Sequence, residues 1–107
     1  MAKFLLKVCY SAEGVKGVMK EGASTRVAFI DQLVQGVGGK VESFYFAFGG
    51  VDVYVIADLP DNATAIALAT TVGSSSAISS YDTVVLLTPA EVDAAAKITV
   101  AYRPPGA

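Results

Sequence analysis

The sequence predicts one α+β domain, in which four short strands are separated by helical regions and followed by a C-terminal helix. Three observations predict this class. Four segments alternate in polarity with a period of two, or are rich in β-branched and aromatic residues, as strands are. The intervening segments carry apolar residues at helical spacing or are rich in alanine. A length of 107 residues fits a single domain spanning residues 1–107.

The first predicted strand covers residues 3–10, and two helical segments follow it. Its alternation assigns to one face Phe4, Leu6, Val8 and Tyr10. Ser11 suits the N-cap of a short helix that glycines interrupt. A stronger amphipathic helix is predicted over about residues 24–36, and the glycines after it provide its C-terminal stop.

A hairpin is predicted next, over residues 41–61, with its turn at Gly49-Gly50. The alternation assigns to one face of the first arm Phe44, Phe46 and Phe48, and to the other Val41, Tyr45 and Ala47. In the second arm it assigns to one face Val51, Val53, Val55 and Ala57, and to the other Asp52, Tyr54 and Ile56. Because both faces are largely apolar, we expect the sheet to be covered on both sides.

The last third of the chain predicts a helix, a strand and a further helix. The helix runs from about Asp61 to Val72, and the strand covers about residues 77–87. Thr88-Pro89-Ala90-Glu91 is a capping box with proline at the first helical position, so a third helix should begin there. Whether residues 98–102 continue that helix or form a strand stays open.

The predicted order is β-α-β-β-α-β plus a C-terminal helix, which is that of the ferredoxin-like arrangement. In it, helices cover one face of a four-stranded antiparallel sheet and leave the other face open. With 53% hydrophobic and 17% charged residues, the chain is more apolar than an average soluble domain, at ~45–50% and ~25%. We therefore expect a homo-oligomer that associates through the open sheet face, as a dimeric α+β barrel or a trimer.

Charge and hydropathy argue against several classes of partner. The net charge is −2 and the basic residues are scattered, whereas binding to a phosphate backbone needs clustered lysine and arginine. No apolar run approaches the ~20 residues that span a bilayer. We therefore expect no nucleic acid, no membrane and a cytoplasmic location.

The residue types present exclude much of the usual catalytic chemistry. The chain has no histidine and one cysteine, Cys9. This removes imidazole acid–base catalysis, Ser-His and Cys-His nucleophiles, and clustered thiolate or imidazole metal ligands. Cys9 lies among apolar neighbours and is interpreted as a packed thiol. We expect no cofactor and no metal, and the balance of these observations is against an enzyme.

Four residues remain as candidate ligand-binding residues: Arg26, Tyr45, Asp52 and Tyr54. Asp52 is predicted one residue inside a strand, where aspartate is disfavoured, so it is either solvated there or a polar group of a pocket beside Tyr54. The tyrosines are either ordinary core residues with partnered hydroxyls or part of that pocket. Arg26 opposes the dipole of its helix, which favours an ion pair across an interface over anion binding.

The chain resembles the GYD-domain family of small bacterial proteins, and the resemblance covers most of it. The matching pieces are Tyr10, Gly14, Lys16 and Arg26, then Leu33 through Val41, then Phe44 through Gly50, Asp52 and Asp58 through Asp61. The Gly-Tyr-Asp of the family name reads Gly50-Val51-Asp52 here. The resemblance implies a ferredoxin-like fold and supplies no activity.

Three functional hypotheses follow. The first is an oligomeric small-molecule-binding or regulatory module, with a pocket between stacked sheets or subunits lined by Tyr45, Asp52 and Tyr54. The second is a cofactor-independent enzyme similar to the dimeric α+β-barrel monooxygenases and isomerases, many of which use a histidine that this chain lacks. The third is a structural assembly subunit.

Overall fold

The computed structural model describes all 107 residues, and its elements alternate as an α+β domain. In chain order they are β1 (Ala2–Tyr10), α1 (Ala12–Glu21), α2 (Ala23–Gly36), β2 (Lys40–Phe46), β3 (Val53–Leu59), α3 (Asn62–Gly73), β4 (Ile78–Leu86) and α4 (Pro89–Ala96). The strands form one antiparallel sheet in the order β2-β3-β1-β4. The predicted α+β class and four-stranded antiparallel sheet are confirmed.

The hydrophobic core lies between one face of the sheet and the helices α2 and α3. Alternate residues of the two central strands supply most of it, and Val34, Ala65 and Leu68 supply the helical side. On the sheet the buried residues are Phe4, Leu6, Val8, Val53, Val55, Ala57 and Leu59. The period of two predicted from the sequence for β1 and β3 is thus the pattern of burial.

Helix α1 packs tightly against the start of β4, and a glycine permits this approach. Ser11 caps α1, since its hydroxyl accepts a hydrogen bond from the Gly14 amide at 3.1 Å. Gly14 is buried, and a Cβ there would lie 2.0 Å from the carbonyl oxygen of Ala77. The same oxygen accepts the Ser11 amide at 2.9 Å. The turn from α1 into α2 is made by Gly22, whose φ of 102° is a conformation that favours glycine.

The hairpin differs from the prediction in two ways. Strand β2 ends at Phe46 and β3 begins at Val53, so the connection is residues 47–52. Asp52 therefore precedes β3 instead of lying inside it, and Val51 is not a strand residue. A β-bulge also interrupts the register between Val41 and Ser43. The extra residue shifts the alternation by one position, so Val41 packs against the core and not on the face of Tyr45.

The open face of the sheet is more polar than the predicted alternation required. The Lys3 ammonium lies 2.7 Å from a Glu42 carboxylate oxygen and 3.0 Å from an Asp58 oxygen. The hydrogen bond to Glu42 is the largest cause of the raised pKa of the Lys3 ammonium, and the hydrogen bond to Asp58 raises it further. The expectation of two largely apolar faces was therefore wrong for this part of the hairpin. The bulge turns Val41 toward the core and brings Glu42 beside Lys3 and Asp58.

The C-terminal part of the chain forms a helix that buries none of its residues. Helix α4 has the predicted capping box at Thr88 and Glu91, but it contains no buried residue. Residues 98–102, left open between helix and strand, form neither. None of the four helices combines the length and apolarity that crossing a membrane requires.

Candidate functional site

The sheet separates the four sequence-predicted site residues. Tyr45 on β2 lies directly opposite Tyr54 on β3, and both are exposed on the open face. Lys7 on β1 lies opposite Tyr54, and Asp82 on β4 lies opposite Lys7. A polar row therefore crosses the open face, and it consists of Tyr45, Tyr54, Lys7 and Asp82. Arg26 is not part of this row, because α2 covers the other side of the sheet.

Arg26 lies where α1 and α2 meet, and it is held by an ion pair within the chain. Its guanidinium donates to both carboxylate oxygens of Glu21, at 2.9 and 3.1 Å. It also lies 4.8 Å from the centre of the Phe29 ring, within the range of a cation–π contact. The sequence favoured an ion pair across an interface. The observed partner is instead Glu21 of the preceding helix, on the same chain.

Asp52 binds backbone at the end of β1. Its carboxylate oxygen accepts the Tyr10 amide at 2.8 Å, while its own amide donates to the Val8 carbonyl at 3.1 Å. Its carbonyl accepts the Ala47 amide at 2.9 Å. Asp52 therefore joins the 47–52 connection to β1 through two hydrogen bonds and closes the connection through a third, and a structural role accounts for an aspartate at this position.

Replacing Asp52 with alanine should lower the free energy of unfolding by about 2 kcal/mol, because a charged acceptor of a half-buried amide is lost. Asp52→Asn keeps an acceptor oxygen and should cost less than about 1 kcal/mol. Urea denaturation of the two variants beside the parent measures the difference. Equal effects of the two substitutions would contradict this role for the carboxylate.

An apolar cavity lies beneath α2 and α3, against the covered face of the sheet. Its volume is about 80 Å³, and thirteen of its fourteen lining residues are hydrophobic. The exception is Arg26. The walls come from the core itself: Leu6, Val8, Tyr10, Ile30, Leu33, Val34, Phe44, Val53, Val55, Leu68, Val72, Ile78 and Tyr81.

A wider groove of about 570 Å³ opens beside this cavity, between α1, α2 and the end of α3. Six residues line both spaces: Tyr10, Arg26, Ile30, Leu33, Val72 and Ile78. We call these six shared wall residues the neck between cavity and groove. Tyr10 and Arg26 supply its polar groups, so the ion pair of Arg26 with Glu21 stands at the mouth of an apolar space.

Two tyrosines in the cavity wall carry hydroxyls that stay protonated at neutral pH. Burial raises the pKa of Tyr81 to about 12. Burial is also the largest cause of the raised pKa of Tyr10, with the nearby Asp52 and Glu21 adding to it and Arg26 opposing it. Each phenol is therefore a neutral group that can both donate and accept a hydrogen bond.

The residues that frame this neck were only partly visible in the sequence. Arg26 was singled out by its position in the first turn of a helix, and Tyr10 was noted as a strand tyrosine. Tyr81 and Val72 gave no signal, because a residue that lines a cavity has the same periodicity as one that fills a core. No group of three His, Cys, Asp or Glu side chains is arranged to hold a metal ion.

Comparison with known proteins identifies the family. The family model of the GYD domain matches residues 4–96 of the chain. No curated protein and no solved structure matches the chain. The matched span includes both the polar row and the neck of the cavity, and it covers most of the 107 residues. The chain therefore belongs to the GYD-domain family.

Proposed function

We propose that this protein is a homo-oligomeric small-molecule-binding module whose ligand enters the cavity beneath α2 and α3. One observation carries the proposal: an apolar cavity inside the domain and a surface groove share six wall residues, among them the polar Tyr10 and Arg26. Small-molecule sites are typically concave and apolar, with a few polar groups that fix orientation. A regulatory role would follow if occupancy changed how copies associate.

The dimensions point to an amphipathic ligand with a compact apolar end. An apolar cavity of ~150 Å³ takes up benzene, and the cavity here has about 80 Å³. Because the cavity is smaller, a ring or branched alkyl group would enter it only in part and would extend through the neck. The remainder of the ligand would occupy the groove, where Thr71 and Ser75 add hydroxyls.

Charge around the groove disfavours an anionic head group. Two carboxylates, Glu13 and Glu21, line it together with the single cation Arg26. Arg26 is already engaged by Glu21 through two hydrogen bonds. An anion would have to displace Glu21 and would face Glu13, whereas a neutral or cationic group meets no such repulsion.

We further propose that the sheet order β2-β3-β1-β4 represents the ferredoxin-like arrangement, and that copies associate in part through the open face. Leu5, Ile56 and Leu86 lie on that face and are half-buried, and Val84 beside them is exposed. The pocket predicted between stacked sheets, beside Tyr45 and Tyr54, would form at such an interface. It stays a prediction.

The cavity proposal is tested with three probes of one shape and different charge: benzyl alcohol, benzylamine and benzoate. Methyl and amide NMR shifts are followed in the parent protein and in Val72→Phe, which narrows the neck. We expect benzyl alcohol and benzylamine to shift Val55 and Leu68 and to bind more tightly than benzoate. Val72→Phe should weaken this binding by about tenfold or more, since a ring fills the neck.

Ile66→Phe is the matched control. Ile66 lies on the same helix, α3, but is exposed and lines neither space. It should leave probe binding within about twofold of the parent, because surface changes seldom act at a distance. Shifts confined to other surfaces, or binding that Val72→Phe leaves unchanged, would refute the proposed site.

A further inference from the structure

The C-terminal segment carries five of the fifteen exposed large hydrophobic residues of this protein. Beyond β4, residues 87–102 form what we call the C-terminal arm, comprising α4 and the irregular stretch after it. All of its residues are exposed, including Ile98 at 69%, Val100 at 76% and Tyr102 at 73%. Large side chains of this kind are normally buried in soluble domains.

The shape of the chain shows how far the arm departs from the domain. The radius of gyration is 17.1 Å, whereas a compact domain of this length has about 13 Å. The longest dimension is 57 Å, and a nine-residue strand accounts for only about 30 Å of it. The arm therefore extends outward, and it has no part in the hydrophobic core.

Helix α4 is specified by local sequence but cannot be stable alone. The Thr88 hydroxyl accepts the Glu91 amide, and the Glu91 carboxylate accepts the Thr88 amide, which completes a capping box. An isolated helix shorter than ~12 residues is nonetheless marginal in water, and α4 has eight. Packing against a further surface would therefore stabilise it.

The stretch after α4 has the pattern of a strand without a sheet. Ile98, Val100 and Tyr102 alternate with Thr99 and Ala101, a period of two with β-branched and aromatic residues. No backbone group of residues 99–103 takes part in a backbone hydrogen bond. The sheet ends in two outer strands, β2 and β4, whose outward edges are unpaired. An extended segment with these properties is suited to adding to such an edge.

The exposed area points to a second copy as the partner. A compact monomer of 11.0 kDa exposes about 5,600 Å², and this chain exposes 6991 Å². The excess, about 1,400 Å² per chain, falls within the range that each partner buries in obligate homodimers. The arm also follows directly after β4, one of the two outer strands of the sheet.

We propose that the C-terminal arm docks on a second copy of this chain, with residues 98–102 added as a strand to an exposed edge of that copy's sheet. The exchange is reciprocal, as in other swapped homo-oligomers. Ile98, Val100 and Tyr102 then face the apolar surface of the partner, and Thr99 and Ala101 face solvent. This interface is distinct from the open sheet face and does not depend on ligand binding.

Full-length Val100→Asp and its neighbour Thr99→Asp test the proposal by multi-angle light scattering and analytical ultracentrifugation. The parent should self-associate at tens of micromolar. Val100→Asp should raise the dissociation constant roughly 30-fold or more, because a charge enters an apolar interface. Thr99→Asp adds the same charge on the solvent side and should change it by less than about threefold. Neither variant should lower the melting temperature of the dissociated chain.

Hydrogen exchange of the same proteins separates the arm from the open face. Alternate amides of residues 98–102, those that donate to the partner's sheet edge, should be protected in the associated parent and lose protection in Val100→Asp. A monomeric parent at these concentrations would overturn the proposal. The proposal would also be overturned if Val100→Asp still associated and no amide of residues 98–102 were protected. That result would leave the open-face interface standing.

Discussion

Replacing Gly14 with alanine should destabilise the domain by about 3 kcal/mol or more, at the upper end of the cost of overpacking. The added Cβ would lie 2.0 Å from the Ala77 carbonyl oxygen and 2.9 Å from its carbon, both backbone atoms that cannot rotate away. Separating α1 from Ala77 would also stretch the hydrogen bond from the Ser11 amide to the same oxygen. Moving α1 away to relieve the clash would therefore cost the domain this backbone hydrogen bond.

Gly17→Ala on the same helix is the control for this prediction. A Cβ at Gly17 meets nothing within 4 Å, so alanine should stabilise the helix by about 0.5–1 kcal/mol through its better propensity. Chemical denaturation monitored by circular dichroism measures both variants. A Gly14→Ala protein as stable as the parent would show that α1 does not pack against Ala77 in the way described.

Local sequence predicted the elements of this fold well, because their determinants are local. Period-two burial in β1 and β3, the Ser11 cap and the Thr88–Glu91 capping box all arise within a few residues. The β-bulge before Ser43 could not be read in this way. It depends on how β2 pairs with β3, and a one-residue shift reverses every face assignment beyond it.

The candidate site was predicted less well, because it depends on tertiary arrangement. Tyr45 and Tyr54 were placed on one face of the hairpin and do lie side by side. Arg26 was noted as unusual, but its pairing with Glu21 requires the break at Gly22 that turns one helix into the next. The cavity had no sequence signal, since its walls are ordinary core residues.

The location of the excess apolar surface was also a tertiary question. Composition alone predicted more apolar residues than one small domain can bury, and the open sheet face was the expected place for them. In the structure that face carries the Lys3 ion pairs, while Val100 and Tyr102 are among the most exposed hydrophobic residues. Both observations are consistent with the proposal that the arm, and not the sheet alone, contacts a second copy.

Replacing Phe4 with alanine should cost about 3–5 kcal/mol, the usual range for removing a buried aromatic ring. Phe4 is 1% exposed at the centre of the sheet, opposite Ala57 on one side and Val85 on the other. The side chain of the neighbouring Ala57 is too small to refill the space. Only 12 of 107 residues are fully buried, so few other contacts can compensate.

The consequence should be large relative to the whole stability of the domain. A chain of this length is expected to have about 5–15 kcal/mol in total, and Phe4→Ala removes a substantial share of it. Phe48→Ala, in the 47–52 connection, is the control because Phe48 is 47% exposed and its ring stacks on that of Phe46. It should cost less than about 1.5 kcal/mol. Urea midpoints that fall equally in both variants would contradict a core centred on Phe4.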